Sequence, residues 1–193
     1  MTKPLNELQL DHANFMKLLA VLEQELSVFE RGDHPDYEII LKIADYFADY
    51  SERFHHPLEN AIFAQLKERD RKASEKVGDL EREHEQATEE VSAFKEAAEA
   101  VLREAEMPRE TFEQRVRRFI DKERAHIAME EQVFFPQART LLRDEDWDSI
   151  TSGFSMGKDP LFSSARKAEF RDLADLIQQW EREAQEARAG ALG

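Results

Sequence analysis

The sequence predicts an all-α protein, an antiparallel up-down-up-down four-helix bundle with an additional C-terminal helix. Three observations predict it. The 193 residues include only 6 Gly and 6 Pro, and the composition leans on Ala, Glu, Leu and Arg, which form helices readily. Apolar residues recur at alternating steps of three and four over long stretches, the inward seam of a packed bundle. The breaks between those stretches are short, which makes successive helices antiparallel neighbours.

The first segment, about Leu5 to Arg31, carries the stripe Leu5, Leu8, His12, Phe15, Leu19, Leu22, Leu26 and Phe29. It stops at Gly32-Asp33-His34-Pro35, a glycine stop followed by a proline start, and His34 reads as a solvated turn residue. The second segment runs about Asp36 to Arg69. The third covers about Lys72 to Glu106, with Gly78 as a weak point near its start and the stripe Val77, Leu80, His84, Ala87, Val91, Phe94, Ala98 and Val101. Met107-Pro108 breaks the chain before the fourth, about Arg109 to Arg143, whose stripe is Phe112, Val116, Phe119, Glu123, His126, Glu130, Val133 and Gln137. Residues 1–150 therefore form the bundle. In the remainder, Asp144 to Pro160 reads as a loop with one short helix around Trp147. A fifth helix, about Ser163 to Arg188, shows Phe170, Leu173, Ile177, Trp180 and Ala184 and is expected to dock on the bundle or on a second subunit.

Charge and composition exclude several functions. Asp and Glu number 42 against 27 Lys and Arg, a formal net charge of −15. Such an excess repels phosphate backbones and anionic lipid, which argues against nucleic-acid and membrane-surface partners. The absence of cysteine excludes disulfides, thiolate metal sites and a Cys nucleophile. The start, Met1-Thr-Lys-Pro-Leu-Asn-Glu, has no apolar run behind its lysine, and no stretch approaches the roughly 20 apolar residues of a membrane span. A cytoplasmic protein is the expectation.

The informative feature is what interrupts the stripes. His12 and His84 replace seam residues in the first and third segments; the second carries His55, His56 and Glu59, and the fourth carries His126 and Glu130. A buried imidazole or carboxylate needs a partner. The pattern also repeats. His12 and His55 are 43 residues apart and His84 and His126 are 42 apart, and both second members sit in the string His-x-x-x-Glu-x-x-x-Phe. Both first members follow an acid, Asp11 or Glu83. At ~1.5 Å per residue, the four histidines fall within about one helical turn of a common plane. Residues four apart differ by roughly 40° around a helix, so His55 shares a face with Glu59, and His126 with Glu130; His56, about 60° from Glu59, is able to turn inward. Glu131 lies roughly 140° from His126, so rotation favours Glu130. Such a set suits borderline transition metals such as iron or manganese, and two ions sharing two bridging carboxylates use every ligand. Pro57 removes one helical N–H and frees the Arg53 carbonyl. Either the second segment kinks there, bringing His55 and His56 onto one metal, or Pro57 opens a separate second half.

Through Asp11-His12-x-x-Phe15, Phe54-His55-His56-Pro57-x-Glu59, Glu83-His84 and His126-Ile127-x-x-Glu130-Glu131-x-x-Phe134-x-Pro136, the chain resembles the hemerythrin family in its HHE cation-binding form, over about residues 10 to 150. The resemblance implies a four-helix bundle with two iron ions, a non-haem di-iron centre with an oxo or hydroxo bridge that meets oxygen. His12, His55, His84 and His126 would be terminal ligands, with Glu59 and Glu130 bridging. The family's oxygen carriers have two histidines four apart on the third helix, whereas here Thr88 follows His84 at that spacing; they also place the last carboxylate at the position of Glu131. His56 is the candidate for the missing nitrogen. These departures leave sensing, peroxide chemistry or iron handling open beside oxygen carriage.

The expected function is that of a non-haem di-iron protein binding or sensing dioxygen, or a related diatomic or peroxide ligand, behind an apolar wall including Phe15, Phe63, Leu19 and Val91. The alternative is a di-iron oxidase, ferroxidase or peroxide-handling enzyme of the ferritin-like class, since Glu52-x-x-His55, Glu81-x-x-His84 and Glu123-x-x-His126 all occur. The first segment, however, offers His12 where that class needs a glutamate. A homodimer through the fifth helix is compatible with either.

Overall fold

This computed structural model describes residues 3–103, 107–154, 173–175, 177–179 and 182, and every regular element among them is helical. Helix α1 (Lys3–Glu30) ends at Gly32, whose φ of +88° suits a residue without Cβ. There the Asp33 N–H donates to the Val28 carbonyl. Asp36 then caps α2 (Tyr37–Tyr46), its carboxylate accepting from the N–H groups of Glu38 and Ile39.

From α2 the rod passes without a break through wide π-helical turns, Phe47–His55, into α3 (His56–Arg69). Proline explains the widening. An α-helical N–H donates to the carbonyl four residues back, and Pro57 has no N–H to offer. The His56 N–H donates instead to Ser51, five residues back. The fourth rod repeats the device: α6 (Arg109–Met129) continues through π turns at Glu130–Phe134 into α7 (Phe135–Leu141), and the Phe135 N–H, one residue before Pro136, donates to Glu130. Pro57 therefore opens a second half of its rod, entered through widened turns.

The third rod departs from expectation. It is not one helix from Lys72 to Glu106; Gly78, at φ +94°, divides α4 (Arg71–Val77) from α5 (Leu80–Leu102), and Asp79 caps the new start by accepting from the Arg82 N–H. Asp70 caps α4 through the Ala73 N–H. After α7, helix α8 (Asp144–Gly153) buries Trp147 and Ile150 and is tied to α3 by Arg69, which pairs with Asp146 and Glu145. Most of the expected fifth helix, with Phe170, Trp180 and Ala184, lies outside the described residues. Leu173, Ala174 and Ile177 are buried with the core that contains Phe15 and Ile43.

The rods close into a ring: α1 packs on α2 and α6, α2 and α3 pack on α5, and α5 packs on α6. Partner numbers fall along one rod as they rise along its neighbour. Glu23 pairs with Arg124 and Glu30 with Arg117; Glu83 meets His126 and Glu90 meets Arg118; Asp45 pairs with Lys95 and Lys67 with Glu81. Where both partners are exposed, such pairs are worth about 0–1 kcal/mol each, so they record register more than they hold the fold. Stability comes from two apolar cores. One gathers Phe15, Leu19, Ile43, Phe94, Phe112 and Phe119; the other gathers Leu5, Leu8, Ile62, Phe63, Phe134 and Trp147. A belt of buried polar side chains separates them.

Candidate metal centre

All seven positions singled out in the sequence lie in that belt. His12 comes from α1, His55 from the end of the first wide turns, His56 and Glu59 from α3, His84 from α5, His126 from α6 and Glu130 from the start of the second wide turns. Glu59 and Glu130 have no solvent exposure. Each carboxylate spans two sides of the belt. Glu59 places Oε1 3.2 Å from His55 Nε2 and 3.6 Å from His12 Nε2, and Oε2 3.4 Å from His84 Nε2. Glu130 places Oε2 3.2 Å from His12 Nε2, and Oε1 3.2 Å from His126 Nε2 and 3.5 Å from His84 Nε2. Two ligand sets result, His12-His55-Glu59-Glu130 and His56-Glu59-His84-His126, and within each the donor atoms lie no more than 4.8 Å apart.

An outer ring of partners takes the other nitrogen of each imidazole. His12 Nδ1 lies 2.9 Å from Glu131, His55 Nδ1 3.1 Å from Asp11, His84 Nδ1 2.9 Å from Asn60, His126 Nδ1 3.3 Å from Glu83, and His56 Nδ1 3.3 Å from Glu52. Such contacts fix ring orientation and leave the opposite nitrogen facing the centre. Glu131 thus belongs to the outer ring and Glu130 to the inner set, in line with the rotational reading. The ring also follows the repeat: the acid before the first histidine of each half holds the second (Asp11 with His55, Glu83 with His126), and the residue after each inner glutamate holds the first histidine of the other half (Asn60 with His84, Glu131 with His12). Phe15 packs on His55 at 4.8 Å between ring centroids, and Phe135 stacks on His12 at 5.2 Å with a 4° interplanar angle.

Electrostatics favour charge at this place despite its burial. Burial pushes His12 down, but the close carboxylates of Glu130 and Glu59 overcome it and lift His12 to about 11. His55, pushed down by burial and up by Glu59 and Asp11, settles at about 9, as does His126, raised by Glu130 and Glu83. His84 is also raised, whereas burial keeps His56 below the ordinary imidazole value. Burial raises Glu59, but His55, His12 and His84 hold it well below the usual carboxylate range; Glu130 is lowered by His126, His12 and His84 against burial and the charge of Glu59.

A metal fits this donor set. All four oxygens of Glu59 and Glu130, with Nε2 of His84 and of His126, are buried without a hydrogen-bond partner. Buried polar atoms without a hydrogen bond are rare and call for an explanation such as an ion. The orphaned atoms converge, and mixed imidazole and carboxylate donors suit borderline divalent ions. The family model of the hemerythrin HHE cation-binding domain matches residues 3–138, well over half of the chain and including all seven positions. The chain belongs to the hemerythrin HHE cation-binding family. No curated protein and no solved structure matches it at a significant level. Within the hemerythrin-like bundle, sequence reasoning missed Asn60, Tyr50 and Phe135. Asn60 and Phe135 follow directly on positions already quoted, but adjacency alone does not tell which side of a helix faces the centre once the turns widen. Tyr50, whose hydroxyl donates to Asp11 at 3.1 Å, is read only from the fold.

Proposed function

We propose that this hemerythrin-like domain holds two iron ions between Glu59 and Glu130 and binds or senses dioxygen or a related small ligand. The observation that carries this reading is that each inner carboxylate presents its two oxygens to different histidine groups, which suits a bridge between two ions. His12 and His55 would hold one ion; His84, His126 and His56 would hold the other. Iron bound there supplies electron transfer toward oxygen. The chain's own residues do the rest. Asp11, Glu131, Asn60 and Glu83 orient the imidazoles, and Phe15, Phe135 and Phe63, all buried, keep bulk water from the inner atoms. The partner numbering along neighbouring rods supports an up-down-up-down order. The buried Leu173, Ala174 and Ile177 support a C-terminal helix, within 151–193, docked on the bundle rather than on a second subunit. Among the described residues no helix is long and apolar enough to cross a membrane, which accords with a cytoplasmic protein.

The test is reconstitution of the full chain with Fe²⁺ under anaerobic conditions, followed by metal analysis and visible spectra before and after oxygen. Two irons per chain and an oxygen-dependent band are expected. A chain that takes up no iron, or whose loaded spectrum ignores oxygen, overturns the reading. Sustained turnover of Fe²⁺ or peroxide would instead identify the oxidase or ferroxidase alternative.

A further inference from the structure

Three seams of the bundle are plugged beside the centre. Between α1 and the fourth rod, Gln9 donates to Glu131, which holds His12. Between α1 and the second rod, Asp11 takes both the Tyr50 hydroxyl and His55. Between the second rod and α5, Asn60 holds His84 and the Thr88 hydroxyl donates to Glu52, which lies against His56. The fourth seam, between α5 and α6, is crossed by His126 and Glu83 at 3.3 Å and also holds a cavity. The cavity is about 290 Å³, and its wall includes Glu83, Glu90, Phe119, Lys122, Glu123 and the candidate ligand His126.

Glu123 is the unexplained group in that wall. It occupies a position on the apolar stripe of α6, is only 6% exposed, and has no hydrogen-bond or ion-pair partner among the described residues. The Glu59 and Glu130 oxygens are orphaned in the centre itself, but Glu123 belongs to neither ligand set. Glu123 lines the cavity, and its oxygens are not among the fully buried unpartnered atoms. Residues three apart are neighbours on a helix surface, so Glu123 stands beside His126 on α6. Nearer solvent, Glu90 is matched by Arg118, and Glu83 by His126, which leaves Glu123 as the wall carboxylate without an ion pair of its own among the described residues. Acids outnumber the one lysine in the wall, and a cleft with an excess of one sign of charge concentrates counter-ions and speeds their entry.

We infer that the α5–α6 cavity is the entrance for divalent cations, and that Glu123 is their first inner contact before His126 and the centre. The inference rests on the metal-centre reading above, and its test separates the two. Metal-free full-length protein is mixed with Co²⁺, and the growth of the cobalt visible bands gives the loading rate, with final content measured by metal analysis. Glu123→Gln is expected to slow loading about tenfold, within the range by which a charged cleft accelerates encounter, while final content is unchanged. Glu123→Asp keeps the charge and loads at close to the wild-type rate. Glu89→Gln, an equal charge change at an exposed site on α5 outside the cavity, loads at the wild-type rate. Equal rates for Glu123→Gln and wild type, or equal slowing by Glu89→Gln, overturn the entrance while leaving the centre intact. Loss of final content in Glu123→Gln makes Glu123 a ligand and also overturns its transit role. A wild-type chain that takes up no cobalt removes the centre and the entrance together.

Discussion

The imidazole rings of His56 and His84 lie face to face, 4.1 Å between centroids and 9° between planes. One comes from α3 and the other from α5, and both belong to the ligand set that also contains His126 and Glu59. His56 thus sits where it can supply the nitrogen that Thr88, one turn beyond His84, cannot.

His56→Ala removes a donor from that set alone. The expected outcome is a chain that retains one tightly held ion and loses the second on gel filtration, read by metal analysis. His12→Ala should do the reverse, sparing the His84 and His126 side. Loss of neither ion in His56→Ala would place His56 outside the coordination shell.

The adjacent acids Glu130 and Glu131 differ in kind. Glu130→Gln leaves a buried amide between His12 and His126 and should abolish the second ion. Glu131→Gln disturbs only the orientation of His12 and should weaken metal binding about 10–100-fold while keeping the stoichiometry. Competition against a chelator distinguishes the two.

Metal uptake should release protons. In the metal-free chain His12, at about 11, and His55 and His126, at about 9, are charged at neutral pH. Ligation requires neutral imidazole, so loading expels those protons, and affinity falls as pH is lowered. Calorimetry in buffers of different ionisation enthalpy measures the release.

The same values set the pH dependence of metal-free stability. A histidine raised in the folded state stabilises fully below its unfolded value near 6.5, and that contribution is lost as pH rises through the folded value. Urea midpoints of the metal-free chain should therefore fall from about pH 6.5 to about pH 11, the span of the raised imidazoles. His12→Gln should flatten the upper part of that slope. Glu59 and Glu130, both depressed, act oppositely: their contribution is present above the ordinary carboxylate range and is lost on acidification.

Gly78 tests the backbone. Its φ of +94° excludes a side chain on conformational grounds, since the nearest atom to a built Cβ is 4.0 Å away. Gly78→Ala should cost about 1–3 kcal/mol in denaturant unfolding without altering metal content. Gly153→Ala, where φ is ordinary and space is open, should leave stability within about 1 kcal/mol of wild type.

Much of this was legible in the chain itself. The stripes from Leu5 to Phe29 and from Phe112 to Val133 are helical at a glance, and the polar interruptions at His12, His84, His126 and Glu130 mark where the rods meet. The break at Gly78 was visible only as a weak point, because a glycine inside a helical pattern and a glycine between two helices look alike until Asp79 is seen to cap. The outer ring was half visible: Asp11 and Glu83 stood out as acids before histidines, but each serves the histidine of the next rod, a relationship that spacing does not encode. The wide turns were hidden because the α-helical period assumed for every rod is what Pro57 and Pro136 alter.

Those widened turns bear on how the gene can change in length. A residue lost from α2 would swing His55, His56 and Glu59 by about 100° around the rod, whereas one lost between Phe47 and His55 is absorbed by a return to the tighter winding, which needs about one residue fewer for the same rotation. Insertions and losses are thereby steered to the widened turns and to the connection at Gly32–Pro35, where a change of length leaves the phase of the rods nearly untouched.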